Sequence, residues 1–198
     1  MRKLASVCVY CGSRPGGDVA FVKEAEALGR ELAAAGVRLV FGGASIGIMG
    51  TVARATLAAG GKVTGVIPHF LKEIEVPLEG VNERVLTKTM HERKQIMFDR
   101  SDAFVILPGG IGTLEETFEM LTWRQLRRHD KPIIVVNING YWAPFVDLIE
   151  HCIREGFAGA EIADLLTVVP SAKDVIPAIK GCLAPASPTP LAEHLEEI

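Results

Sequence analysis

This 198-residue chain is poor in several features that would define a protein class. It has four cysteines, Cys8, Cys11, Cys152 and Cys182, too few and too scattered for a disulfide framework. Cys8 and Cys11 are spaced C-x-x-C, but they lie in an apolar strand-like run and no second pair follows to complete a zinc site. They read as buried strand cysteines in a reducing compartment. Long hydrophobic runs are also missing. The longest uncharged stretches, Leu39–Ala53 and Pro132–Val146, are 15 residues each, and the first contains four glycines. A bilayer demands roughly 20 residues, so no membrane span is expected. The opening MRKLASVCVYCGSR lacks a small-residue cleavage site after an apolar core, so a secretory leader is not expected and the cytoplasm is the expected location. Excess charge of either sign is absent, with 21 Lys+Arg against 24 Asp+Glu and a net charge of -3. Nothing there would attract a nucleic acid. The five histidines, His69, His91, His129, His151 and His194, show no H-x-H or H-E-x-x-H spacing, so no metal site is expected.

What is present is ordinary globular composition, 48% hydrophobic and 23% charged, in one domain's length of chain. Strand-length apolar runs alternate with helical patterns. Strands are expected at Leu4–Cys11, Val37–Phe41, Lys62–Ile67, Val81–Thr87, Ala103–Leu107, Pro132–Asn137 and Leu166–Val169. Helices are expected from an Asp18 cap to Gly36, then over Ile48–Ala59, Met90–Arg100, Thr113–Arg128, Trp142–Glu155 and Ala172–Gly181. The strands are apolar and do not alternate, as when helices cover both faces of a parallel sheet. The expected fold class is α/β, a doubly wound, mostly parallel, Rossmann-like sheet. A single nucleotide-binding hydrolytic domain is expected over 1–183, followed by a proline-rich, acidic tail over 184–198.

In such sheets, ligands bind beyond the carboxyl ends of the strands. Three glycine-rich loops fall there: Cys11–Gly17, Gly42–Gly50 and Pro108–Glu116. Glycines let backbone N–H groups converge, and the helix that follows adds partial positive charge, a setting for phosphate. The common nucleotide fingerprints fail. The first loop, CGSRPGG, is not G-x-G-x-x-G, and the second has Ser45 where a middle glycine belongs. The Gly61–Lys62 pair is followed by Val63, not Ser or Thr, so a P-loop is excluded. Around the third loop stand Arg93 and Lys94, with Glu115, Glu116 and Glu119. Two readings stay open. Glu116 fits the last position of a capping box begun by Thr113, and Arg93 fits an exposed helix charge. Equally, a carboxylate beside a phosphate turn and opposite an arginine suits cleavage of an N-glycosidic bond, where positive charge develops on the sugar.

At these residues the sequence resembles the Lonely Guy family, long labelled lysine decarboxylase-like. The family's P-G-G-x-G-T-x-x-E is matched by Pro108, Gly109, Gly110, Gly112, Thr113 and Glu116, and its M-x-x-R-K by Met90, Arg93 and Lys94. Its Y-G-G-G-x-x-G-x-M-G appears as FGGASIGIMG, departing at Phe41 and Ala44, and TW-x-Q-L-x-x-H-D-K-P runs from Thr122 to Pro132. The likeness extends from about Ala5 to about Lys180. It implies hydrolysis of cytokinin riboside 5′-monophosphates, or of AMP, to free base and ribose 5-phosphate, without a cofactor. Arg93 and Glu116 would be the catalytic pair, with Glu116 stabilising the ribosyl cation and placing water, and Arg93 orienting Glu116 and the ribose. The 5′-phosphate would sit on Gly110, Ile111, Gly112 and Thr113, extended by Leu114 and Glu115, with Ser13 and Ser45 as further contacts. Glu75, Lys94 and Thr122 match other positions of the nucleotide site. Met90 would pack on the purine or serve the core. A homodimer is implied, with its contact near the PGGIGT and TWRQLRRHDK segments; Arg127 and Arg128 there also fit a solvated face. The decarboxylase label would need a Schiff-base lysine and an acidic partner for a pyridine nitrogen, and only Lys94 is at hand. Related proteins of this fold resemble molybdenum-cofactor carriers, so a non-catalytic binding protein is the competing class.

Overall fold

The computed structural model describes residues 3–73 and 76–184. Glu75, and the expected tail from residue 185 onward, lie outside them. Strands β1 (Ser6–Tyr10), β2 (Arg38–Phe41), β3 (Val63–Pro68), β4 (Glu83–Thr87), β5 (Ala103–Ile106), β6 (Ile133–Val136) and β7 (Thr167–Val169) form one parallel sheet in the order β4-β3-β2-β1-β5-β6-β7. The chain starts at the centre, winds outward to β4, and returns to β5 on the other edge of β1. Ligands collect where the winding reverses, which here is the crevice between β1 and β5.

The helices are α1 (Val19–Ala34), α2 (Gly47–Ala58), α3 (Met90–Asp99), α4 (Ile111–Gln125), α5 (Ala143–Arg154) and α6 (Val175–Leu183). Side chains alternate along a strand, so each strand feeds two cores. Val7, Val9 and Cys11 of β1 and its extension pack with α1, α2 and α6, while Cys8 and Tyr10 pack with α3, α4 and α5. The two cysteines therefore face opposite sides of the sheet. Burial pushes both thiols well above the ordinary cysteine range, as fits inert core residues. β4, at the edge, is the strand that alternates between half-buried and exposed positions.

Asp18 caps α1 as expected, accepting from the Ala20 amide at 2.8 Å. The start of α3 rests on a box formed by T-x-x-E at Thr89–Glu92. Thr89 Oγ1 accepts from the Glu92 amide at 3.1 Å, and Glu92 Oε2 accepts from the Lys88 amide at 2.7 Å. α4 departs from expectation at both ends. It begins at Ile111 with Gly110 as N-cap, two residues before Thr113. It ends at Gln125, because Arg127 adopts a left-handed φ of 54° and the Arg128 amide turns back to the Trp123 carbonyl at 2.8 Å. No described helix is long and apolar enough to cross a membrane.

Candidate active site

The loops after β1, β2 and β5 are stitched together at the crevice. The Gly12 amide donates to the Pro108 carbonyl at 3.0 Å, and the Met49 amide donates to the Gly12 carbonyl at 3.1 Å. Gly47 turns there with a φ of +61°, so tight against the first loop that a Cβ would lie 2.3 Å from the Ser13 carbonyl carbon. The crevice opens into a cleft of about 500 Å³ lined by Cys11, Ser13, Arg14, Met49, Met90, Arg93, Gly110–Thr113, Glu115 and Glu116.

Arg93 is buried at 6% exposure, which overturns the exposed-helix reading. Its Nε donates to the Val66 carbonyl at 3.2 Å and its Nη2 to the Gly42 carbonyl at 3.1 Å, with Nη1 3.8 Å from Met90 Sδ. The guanidinium thus satisfies a carbonyl just after β2 and one within β3, and its charge stays uncompensated by any ion pair with a described residue. Gly42 makes this possible, since a Cβ there would stand 2.1 Å from Nη2. No hydrogen bond links Arg93 to Glu116; the arginine acts on the carboxylate through its field.

The capping-box reading of Glu116 also fails. With Gly110 as N-cap, Thr113 stands at the third helical position and Glu116 at the sixth, a full turn too far along to cap anything. Glu116 instead faces the cleft, partly exposed, without a hydrogen-bond partner among the described residues. Burial pushes its carboxyl up to about 7; the Arg93 charge opposes the rise, Glu115 adds to it, Lys94 opposes and Glu119 adds. The amides of Ile111, Gly112 and Thr113 have no backbone partner at this helix start, and the space beside Gly110 and Gly112 is open. Anions are favoured there by both the free N–H groups and the helix dipole.

Lys94 is turned away from the cleft. Its Nζ donates to Glu115 Oε1 at 2.5 Å and to Glu119 Oε1 at 3.0 Å, clamping α3 to α4. Burial would lower its pKa, but the hydrogen bonds it donates to Glu115 and Glu119 outweigh that and hold the ammonium above the ordinary lysine value. A Schiff base needs a free amine, so this lysine does not fit pyridoxal phosphate, and the lining residues include no other lysine.

Of the residues expected from sequence, the structure brings Ser13, Met90, Arg93, Gly110, Ile111, Gly112, Thr113, Glu115 and Glu116 to one cleft. Leu114 packs against the core beneath α4. Thr122 is exposed further along α4, outside the lining. Ser45 is also off the lining, with its amide on the Val76 carbonyl at 2.9 Å and its carbonyl accepting from Arg54 at 2.5 Å. Cys11, Arg14 and Met49 line the cleft without having been expected. All three sit within the glycine-rich loops, so loop membership was the signal that could have found them.

The family model described as "possible lysine decarboxylase" matches residues 49–179. The chain is 43% identical to the cytokinin riboside 5′-monophosphate phosphoribohydrolase of Rhodococcoides fascians over 89% of this chain and 89% of that protein. It is 41% identical to an Arabidopsis thaliana enzyme of the same name over 88% and 82%. Among solved structures it is similar in fold to the molybdenum cofactor binding protein of Rippkaea orientalis, with a TM-score of 0.69, 22% identity, and coverage of 93% and 99%.

Proposed function

The chain belongs to the Lonely Guy family, and from that premise we propose that it is a nucleoside 5′-monophosphate phosphoribohydrolase. The substrate class is cytokinin riboside 5′-monophosphates, with AMP as the unmodified member. The observation that carries the reading is the pairing of Glu116 with Arg93 across a cleft whose floor is the free N-terminus of α4. The 5′-phosphate rests on the amides of Ile111, Gly112 and Thr113, and the sugar then lies against Glu116. As the bond from the sugar C1′ to the base nitrogen breaks, its electron pair leaves with the base and positive charge builds on the ring. The ionised Glu116 carboxylate stabilises that charge and accepts a proton from water, whose oxygen bonds to C1′. The departing base takes up a proton at nitrogen from solvent, and Glu116 returns to solvent the one it took from water, so the products are free base and ribose 5-phosphate. Arg93, held by two carbonyls, keeps Glu116 ionised by its field and faces the ribose hydroxyls.

The decarboxylase description carried by the family model has no support in the donor set, since Lys94 is held between two carboxylates. Glu115 is committed to the same clamp, which leaves Glu116 the available carboxylate among the described lining residues. No nucleic-acid partner is part of the reading. A homodimer is, with α4 at its contact, supported by the exposure of Thr122 on that helix and of its C-cap residue Leu126, at 65%.

The test is to incubate the protein with N6-isopentenyladenosine 5′-monophosphate and with AMP, beside the two unphosphorylated nucleosides, and follow base and ribose 5-phosphate by chromatography. Equimolar products from the monophosphates alone are expected. Binding of nucleotide without release of base would instead support a non-catalytic carrier.

A further inference from the structure

The cleft has two arms. The main arm passes Met49, Met90, Arg93 and Glu116. A side arm of about 170 Å³ is walled by Phe21, Ile48, Pro108 and Tyr141. Arg14 and Gly110 border both, so Arg14 stands at the junction, beside the N-terminus of α4.

Its backbone is fixed from two sides. The Gly12 amide ties the loop to the Pro108 carbonyl at 3.0 Å, and Gly47 approaches so closely that a Cβ would lie 2.4 Å from the Arg14 nitrogen. The side chain, in contrast, is exposed and has no hydrogen bond or ion pair with any described residue. Of the other described cations here, Arg93 is held in place by the Val66 and Gly42 carbonyls, opposite Glu116, and Lys94 is paired with Glu115 and Glu119.

Exposed arginines are ordinarily solvated and contribute little. This one differs in that its anchor is rigid and its surroundings require a cation. A phosphate monoester brings nearly two negative charges to a cleft already lined by Glu115 and Glu116. The uncapped amides of α4 supply partial charge only. A guanidinium supplies a full charge and a planar fork that matches two phosphate oxygens.

We infer that Arg14 is the phosphate-specificity residue of the site, closing on the 5′-phosphate across from the amides of Ile111, Gly112 and Thr113, an inference that rests on the phosphoribohydrolase reading. It selects monophosphates in two directions. A nucleoside lacks the group Arg14 holds. A diphosphate gains nothing, because among the described residues no second cation lines the side arm beyond Arg14.

Ribose 5-phosphate is the probe, since it carries the phosphate but no glycosidic bond. Its affinity is measured by titration calorimetry, with ribose as control, for the unaltered protein, Arg14→Ala and Arg14→Lys. The expected result is that Arg14→Ala weakens ribose 5-phosphate by roughly ten- to a hundredfold. Ribose affinity and melting temperature stay unchanged, and Arg14→Lys recovers part of the loss. Equal affinity in the unaltered protein and Arg14→Ala would overturn the inference, as would ribose binding as tightly as its phosphate. Should the protein release no base, an Arg14-dependent phosphate site still stands. Should it release base with a KM indifferent to Arg14→Ala, Arg14 alone is refuted.

Discussion

At Glu116 two demands meet. In the proposed mechanism the carboxylate must be ionised to stabilise a sugar cation, yet its position off bulk solvent favours the protonated form and pushes its pKa up to about 7. An acid with a raised pKa is protonated below that value, so activity should fall as pH drops through it. We therefore expect kcat/KM to rise about tenfold per pH unit below about 7 and to level above it. Glu115 contributes to the rise as a like charge. Glu115→Gln should therefore move the acid limb of the pH–rate profile to lower pH, and a limb that stays in place would show that Glu115 has no part in setting it. The chemistry of this residue was half legible in sequence. Thr113 and Glu116 have the spacing of a capping box, and only the placement of the N-cap at Gly110, a residue with no side chain to announce it, shows that the box is not formed.

At the scale of elements, α3 and α4 deliver the two facing groups, and three devices hold them in register. The Thr89–Glu92 box fixes where α3 starts, the Lys94 clamp fixes α3 against α4, and the missing side chain at Gly42 lets Arg93 reach two carbonyls. Gly42→Ala would put a Cβ 2.1 Å from Nη2 and drive the guanidinium out of its seat. Loss of kcat/KM by roughly a hundredfold is expected, as for a misplaced charge in an active site. Circular dichroism should show the fold intact, and an unaltered kcat/KM would mean that Arg93 need not sit where it does. The helix over Met90–Arg100 was expected from sequence, while the Thr89–Glu92 box that starts it emerges from the structure. The end of α4 was not expected, because Arg127 takes a left-handed turn that glycine or asparagine would normally signal. Lys94 shows a further limit. A motif match places it with the nucleotide, while its contacts place it behind Glu115 and Glu119.

For the whole molecule, the alternation of apolar runs and helical patterns was enough to foresee a doubly wound sheet, since the five inner strands are buried on both faces. The strand order was not foreseeable. No local residue pattern states that β5 returns beside β1 rather than beyond β4, and it is this return that brings Arg93, from the β4 side, to face Glu116. The exposed face of α4, with Thr122 and Leu126, is the surface a second copy would cover. Light scattering should give twice the 21.3 kDa chain mass, and Leu126→Asp should return it to one chain. A single-chain mass for the unaltered protein would set the dimer aside.

The most direct test of the account is the rate of base release from N6-isopentenyladenosine 5′-monophosphate by Glu116→Gln beside the unaltered protein, at a pH near 8. Removing the group that stabilises the developing charge and takes the water proton should cost roughly a thousandfold or more. The variant should remain folded, because a neutral amide of the same shape replaces a cleft-lining carboxylate that has no hydrogen-bond partner among the described residues. A folded Glu116→Gln protein that still releases base at a rate near the unaltered one would contradict the mechanism at its centre.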